Sequence, residues 1–231
     1  MQQQESPIYQ TILDLPLIKG VSAARLTEIA GRYKLNFKKY APGSVIINVG
    51  DRCECLKFVL SGSVSMAIAD ADETLVIQQT LTAPQVIAPD YLFGRLTEYP
   101  CSVKAESSVG IMEISKEEYR KMLASDSVFL FNYLNAVCSR SQRGVRGLLA
   151  LISGSAVERI AYWISTLTQF GATDIRVTSE RADLNTLLGI SASAWRGAME
   201  RMRSAGIIVD VTPRSFSVTS RAALAALLPG V

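Results

Sequence analysis

The chain of 231 residues contains no histidine. That absence removes the side chain most often used as a general base and the commonest nitrogen ligand for metals. Long apolar runs are missing too, since none reaches the about 18 residues needed to cross a bilayer. The opening MQQQESPIYQ has neither a basic nor an apolar signal region. No membrane segment and no secretion are therefore expected, and the expected location is cytoplasmic. Cysteine is sparse, and Cys53, Cys55, Cys101 and Cys138 are expected to be reduced thiols there. The sequence has no nucleophile elbow, phosphate loop or paired metal-ligand motif, so no catalytic residue, metal or cofactor is expected and the chain does not read as an enzyme.

Hydrophobic residues make up 48% of the chain, enough to fill real cores, against 19% charged residues. The length suits two domains. A net charge of +3 permits a polyanionic partner without requiring one.

Residues 1–33 carry helical periodicity, with Ser22 as an N-cap, apolar positions at Leu26, Ile29 and Ala30, and Gly31 after them. From Phe37 the pattern changes to short runs broken by turn residues: 44–49, 56–60, 63–68, 74–81, 102–106 and 110–114. Strands at this spacing predict an antiparallel barrel or sandwich. Gly43, Gly50 and Gly62 stand where such a barrel reverses direction. Ser115 and Glu118 form a capping-box pattern for a short helix. Ser127 opens a longer one in which Leu130, Leu134, Val137, Ser141, Gly144, Leu148 and Leu151 alternate by four and three. This stripe is either a dimer seam or the face of a helix lying on its own barrel. The small Ser141 and Gly144 lean toward the seam, and Arg140, Arg143 and Arg146 read as a solvated face.

Ser153-Gly154-Ser155 reads as a linker, and 155–168 as an amphipathic helix closed by Gly171. Within 175–228, Ser179 is placed to cap a helix with Ala182, Leu184, Leu187 and Leu188 inward. Gly189 can stop it in the left-handed conformation. Ile190 then tucks beneath the turn, and Ser191 caps a second helix through Arg203, with Ala194, Trp195, Ala198, Met199 and Met202 buried. This is the layout of a helix-turn-helix. Strand 206–211, a turn at 212–214, strand 215–218 and a last helix over 221–228 follow as a wing. The outward face of the second helix carries Ala192, Ser193, Arg196, Gly197, Glu200 and Arg203, and its first turn offers free amides. Ser191, Ala192, Ser193 and Arg196 are the candidates for reading bases, with Arg196 able to pair bidentately with guanine. Arg181, Arg203 and Arg214 suit phosphates. The thin base-reading set also admits a domain that binds protein instead.

In order and spacing these motifs resemble the Crp/Fnr family of bacterial regulators. Pro42-Gly43-Ser44 with Gly50-Asp51, the run Leu56–Val64 with Ser61-Gly62-Ser63, Arg159-Ile160-Ala161, and Leu187-Leu188-Gly189-Ile190-Ser191 carry the resemblance across nearly the whole chain. It implies an α+β protein. Residues 1–125 would form a cyclic-nucleotide-binding-like sensor, a double-stranded β-helix (jelly-roll) barrel. Residues 126–153 would be a dimerisation helix and 154–231 a winged helix-turn-helix. It also implies double-stranded DNA as partner, a homodimer, contact with RNA polymerase and a small-molecule effector of unknown identity. Members that bind cyclic nucleotides hold the ribose with a Glu and clamp the phosphate with Arg-Ser or Arg-Thr. Here the corresponding stretch is Pro89, Asp90, then Tyr99, Pro100 and, beyond Cys101, Ser102. A phosphate there has no guanidinium to pair with, and Pro100 has no amide to donate. Cyclic AMP is therefore not expected as the effector. Cluster ligation by N-terminal cysteines and haem ligation by histidine are excluded by composition. Cys53 and Cys55 read as ordinary small residues, with a redox switch as the lesser reading.

Overall fold

The structure, a computed structural model, describes residues 7–228. Along the chain, helices α1 (Pro7–Leu13) and α2 (Ala23–Arg32) precede strands β1 (Leu35–Tyr40), β2 (Val45–Ile47), β3 (Cys55–Ser61), β4 (Ser63–Ala69), β5 (Leu75–Thr82), β6 (Gln85–Ile87), β7 (Cys101–Ala105) and β8 (Val109–Ser115). Helices α3 (Lys116–Ser125), α4 (Ser127–Ser153) and α5 (Ala156–Leu167) follow, then β9 (Thr173–Ser179), α6 (Leu184–Leu187), α7 (Ala192–Ser204), β10 (Ile208–Val209), β11 (Ser215–Ser220) and α8 (Arg221–Ala225). The chain forms two compact units, one from the residues up to Val64 with Thr82–Ser139, the other from Ser65–Leu81 with the residues from Arg140 on.

In the first unit, β8 lies between β1 and β3, and β6 extends the far side of β3, all antiparallel. β2 pairs with β7. Alternation along β3 sends Leu56 and Phe58 inward, and Val103, Ile111 and Ile114 are likewise buried with essentially no solvent exposure. Gly62 turns the chain at φ +79, and a Cβ there would stand 2.4 Å from the Ser108 carbonyl oxygen, so only glycine fits. The Ser22 hydroxyl accepts the Arg25 N–H at 3.3 Å and caps α2, which runs past Gly31 to Arg32. Leu26 and Ile29 are buried as expected, whereas Ala30 faces solvent.

In the second unit the strand order is β10-β11-β9-β5-β4. β9 was not anticipated by the strand pattern. Its Ile175, Val177 and Ser179 are buried on one face, and it pairs antiparallel with both β5 and β11. That pairing explains why 65–81 joins the C-terminal unit and not the 1–125 segment. It also corrects the expected helix start. Ser179 ends β9 and hydrogen-bonds Ala182, while Asp183 occupies the N-cap of a single-turn α6. The strand expected over 206–211 is only β10, and the last helix stops at Ala225.

α4 is one continuous helix shared by both units. In the first unit it buries Phe129 and Tyr133, and Asn132 donates to the carbonyls of Leu17 and Lys19. In the second it buries Ala150, and a Cβ at Gly147 would lie 2.7 Å from Thr166 Oγ1, so α4 and α5 approach closely there.

Candidate nucleic-acid interface

Local chemistry sets the turn between α6 and α7. Gly189 adopts φ +62, the left-handed conformation that ends a helix at little strain for glycine. Asn185 closes the turn by donating to the Ile190 carbonyl at 3.0 Å and accepting the Ile190 N–H through its own carbonyl at 2.8 Å. Ile190 is buried beneath. The Ser191 hydroxyl accepts the Ala194 N–H at 3.3 Å and so caps α7. Arg159, on α5, anchors this corner by donating to the carbonyls of Ile152, Gly154 and Gly189 at 3.2–3.3 Å. That accounts for the Arg159-Ile160-Ala161 motif in terms of packing.

Trp195, Ala198, Met199 and Met202 hold α7 from behind, and Trp195 meets Phe216 of β11 edge to face at 6.0 Å. Ala194, expected on this buried side, is exposed, because the arc from Trp195 to Met202 alone covers the contact. The opposite face presents Ser191, Ala192, Ser193, Arg196, Gly197, Glu200 and Arg203 to solvent. A groove of about 520 Å³ runs between this face and the turn at Thr212 and Pro213, lined also by Asn185 and Trp195.

The cations expected to hold phosphates have partners within the chain. Arg181 pairs with Asp72 at 2.8 Å. Arg214 donates to the Glu180 carbonyl at 3.0 Å and lies 3.6 Å from Asp183. Arg203 stands 4.0 Å from Glu200. Among the described residues Arg196 makes only a long contact, 3.4 Å, to the Ala192 carbonyl of its own helix, which leaves its guanidinium edge available. Asp72 was not among the expected site residues. Only the long-range pairing of β5 with β9 brings its turn to Arg181, and no local signal announces it.

In the first unit, the stretch expected to be a degenerate effector pocket is partly filled by its own side chains. Pro89 opens a 3-10 turn whose carbonyl accepts the Tyr133 hydroxyl at 3.1 Å, while Asp90 and Ser102 are half-buried and Pro100 is exposed. Tyr99 is buried beside Tyr91 and Cys53, with Lys57 Nζ 5.8 Å from its ring centre. Burial, then the neighbouring Cys53, raises its pKa far above the ordinary tyrosine range. Lys57 also sits 3.8 Å from the buried Glu113 carboxylate, which takes Lys38 at 2.8 Å. Cys53 is buried, its thiol pushed up by burial against the Tyr99 contact, and Cys55 shifts the same way. Neither is an activated thiolate.

Along α4, the expected seam positions Leu130, Leu134, Ser141 and Leu148 are exposed in the single chain, and Val137, Gly144 and Leu151 are half-buried. The large exposed apolar residues Phe131, Leu134, Val145, Leu148 and Ile152 fall on one stripe, at spacings of three or four within 131–134 and 145–152 and eleven, about three turns, between them. A Cβ at Gly144 would meet nothing within 4 Å.

Residues 37–126 match the family model of the cyclic nucleotide-binding domain. Over 181 residues the chain is 24% identical to the cAMP-activated global transcriptional regulator Vfr of Pseudomonas aeruginosa, covering 74% of this chain and 84% of that protein. It is 25% identical over 131 residues to the cAMP-activated global transcriptional regulator CRP of Pasteurella multocida, covering 57% of this chain and 63% of the relative. Among solved structures, the catabolite activator protein of Thermus thermophilus matches with a TM-score of 0.51 at 20% identity, over 92% of this chain and 97% of that one. The likeness in fold is thus to a β-sandwich accompanied by several helices, and the family match itself is confined to residues 37–126. Both curated relatives are global transcriptional regulators.

Proposed function

We propose that the chain is a DNA-binding transcription regulator of the Crp/Fnr kind, acting as a homodimer. In this reading α6, α7 and the β10–β11 pair form a winged helix-turn-helix, and α7 enters the major groove. The observation that carries it is the exposed face of α7 with Arg196 at its centre, backed by the buried Trp195 and Met199. Arg196 would read guanine, Ser191, Ala192 and Ser193 would approach neighbouring base edges, and Arg181, Arg203 and Arg214 would meet phosphates. The exposed α4 stripe supports pairing with a second copy, which would set two half-sites about 34 Å apart. RNA polymerase is the protein partner this role calls for.

The effector is not cyclic AMP in this reading. A buried Tyr99 and an exposed Pro100 stand where the clamp would need a guanidinium and a hydroxyl, so a cyclic phosphate lacks its bidentate partner there. Cyclic AMP should leave the melting temperature and DNA affinity unchanged, and tight binding that depends on Tyr99 overturns this part.

A second reading, a protein-interaction module that retains the fold, is favoured by the partners that already occupy Arg181 and Arg214. Fluorescence anisotropy with a random duplex at increasing salt separates the two. DNA binding should weaken steeply as salt rises, in proportion to the phosphates neutralised. Absence of duplex binding at low salt would favour the module.

A further inference from the structure

Two buried donors in the C-terminal unit point to a missing acceptor. Gln79, on β5, is fully buried. Its carboxamide oxygen accepts the Gln169 N–H at 2.7 Å, but among the described residues its Nε2 has no hydrogen-bond partner. Arg221, the first residue of α8, is 8% exposed, and its Nε is likewise buried and without a partner. One short stretch of chain links the two. Gln169 meets Gln79, the Phe170 ring centre lies 5.8 Å from Arg221 Cζ, and the Ala172 carbonyl accepts the Arg221 N–H at 2.8 Å.

The surrounding charge has the same sign. Burial, then the nearby Arg143 and Arg140, pushes the Arg221 guanidinium down to about 10. Arg140 and Arg143, expected on a solvated face, are half-buried instead. A guanidinium has donors and no acceptor, and so has the free end of the Gln79 amide. A buried donor left unmade is unfavourable, and a buried charge left unpaired is more so. The Phe170 ring gives partial relief, yet it is itself 75% exposed. A water molecule would satisfy an N–H but not the buried positive charge of Arg221. The complement of this corner is a group that only accepts hydrogen bonds and carries negative charge.

We propose that the corner between Gln79 and Arg221 binds an oxyanion of the phosphate class. The site does not depend on whether α7 reads DNA.

The probe is inorganic phosphate, titrated into the full chain at constant ionic strength with chloride as control, and read by calorimetry and thermal unfolding. Phosphate should bind saturably and raise the melting temperature, and Arg221→Met should abolish that response. Gln79→Glu keeps the acceptor for Gln169 and places a carboxylate inside the corner. It should raise the melting temperature without phosphate and weaken phosphate binding at least tenfold. If Arg221→Met does not fold, Gln79→Glu decides alone. A phosphate response no greater than that of chloride, or one that Gln79→Glu leaves unchanged, overturns the proposal.

Discussion

Arg181 and Asp72 meet at 2.8 Å although 109 positions separate them in sequence. The contact joins the turn between β4 and β5 to the loop ahead of α6, and it exists because β5 and β9 are paired strands. It holds a cation that the proposed function assigns to a DNA phosphate. In that proposal the hairpin and a phosphate would compete for the same guanidinium.

Replacing Asp72 with Asn should release Arg181. Both side chains are more than half exposed, so the pair contributes at most about 1 kcal/mol. The expected gain in affinity for a random duplex is modest, at most about fivefold. Arg181→Ala should reduce the slope of log affinity against log salt by about one. Anisotropy titrations of both variants check this, and an unchanged slope in Arg181→Ala removes the residue from the interface.

The cap of α7 can be tested by stability. Ser191→Ala removes the acceptor for the Ala194 N–H and should cost about 1 kcal/mol. Denaturant unfolding of the full chain, followed by Trp fluorescence, reads the loss. An effect below a few tenths of a kcal/mol would mean that the hydroxyl is not holding the helix start.

The exposed apolar stripe of α4 makes a prediction about assembly. Leu148 is 66% exposed in the single chain, and Leu148→Lys should dissociate the proposed homodimer without unfolding either unit. Sedimentation at micromolar concentration should find wild type as a dimer and the variant as a monomer. A monomeric wild type contradicts the seam.

Much of this architecture is legible in the sequence where local chemistry decides. Ser22, Ser115, Gly189 and Ser191 act at the helix ends expected of them, and Trp195, Met199 and Met202 face inward at helical spacing. What was missed depends on distant partners. β9 alternates Ile175 and Val177 with Asp174 and Arg176, a period-two signal too short to outweigh the capping pattern at Ser179. The exposure of Phe131, Val145 and Ile152 follows from which side of α4 meets the rest of the chain, which periodicity alone does not fix. Gln79 and Arg221 carry no local signal at all, because their significance lies in the partners they lack.

Acid should weaken the N-terminal unit through Asp126. Its carboxylate takes Arg25 Nε at 2.8 Å and the Val128 N–H at 2.9 Å. Burial alone would raise this carboxyl, but the guanidinium and the amide outweigh it and hold its pKa below the usual value. The folded pKa thus lies below the unfolded value of about 3.9. The contribution is complete above that value and is lost as pH falls through the lower, folded one. Unfolding followed from about pH 5 to about pH 2 should show less acid destabilisation in Asp126→Asn than in wild type. Identical profiles would exclude the pair as a source of the pH dependence.

The measurement that bears most directly on the proposed function is duplex discrimination by Arg196. Sites are first selected from a random pool with the wild-type protein. Affinities of wild type and Arg196→Ala are then compared on the selected duplex and on one with its preferred guanine replaced. The prediction is a loss of about 1–3 kcal/mol for Arg196→Ala on the selected site and little further loss on the replaced one. Selection that yields no preferred site, or an equal loss on both duplexes, would contradict the assignment of α7 as the base-reading helix.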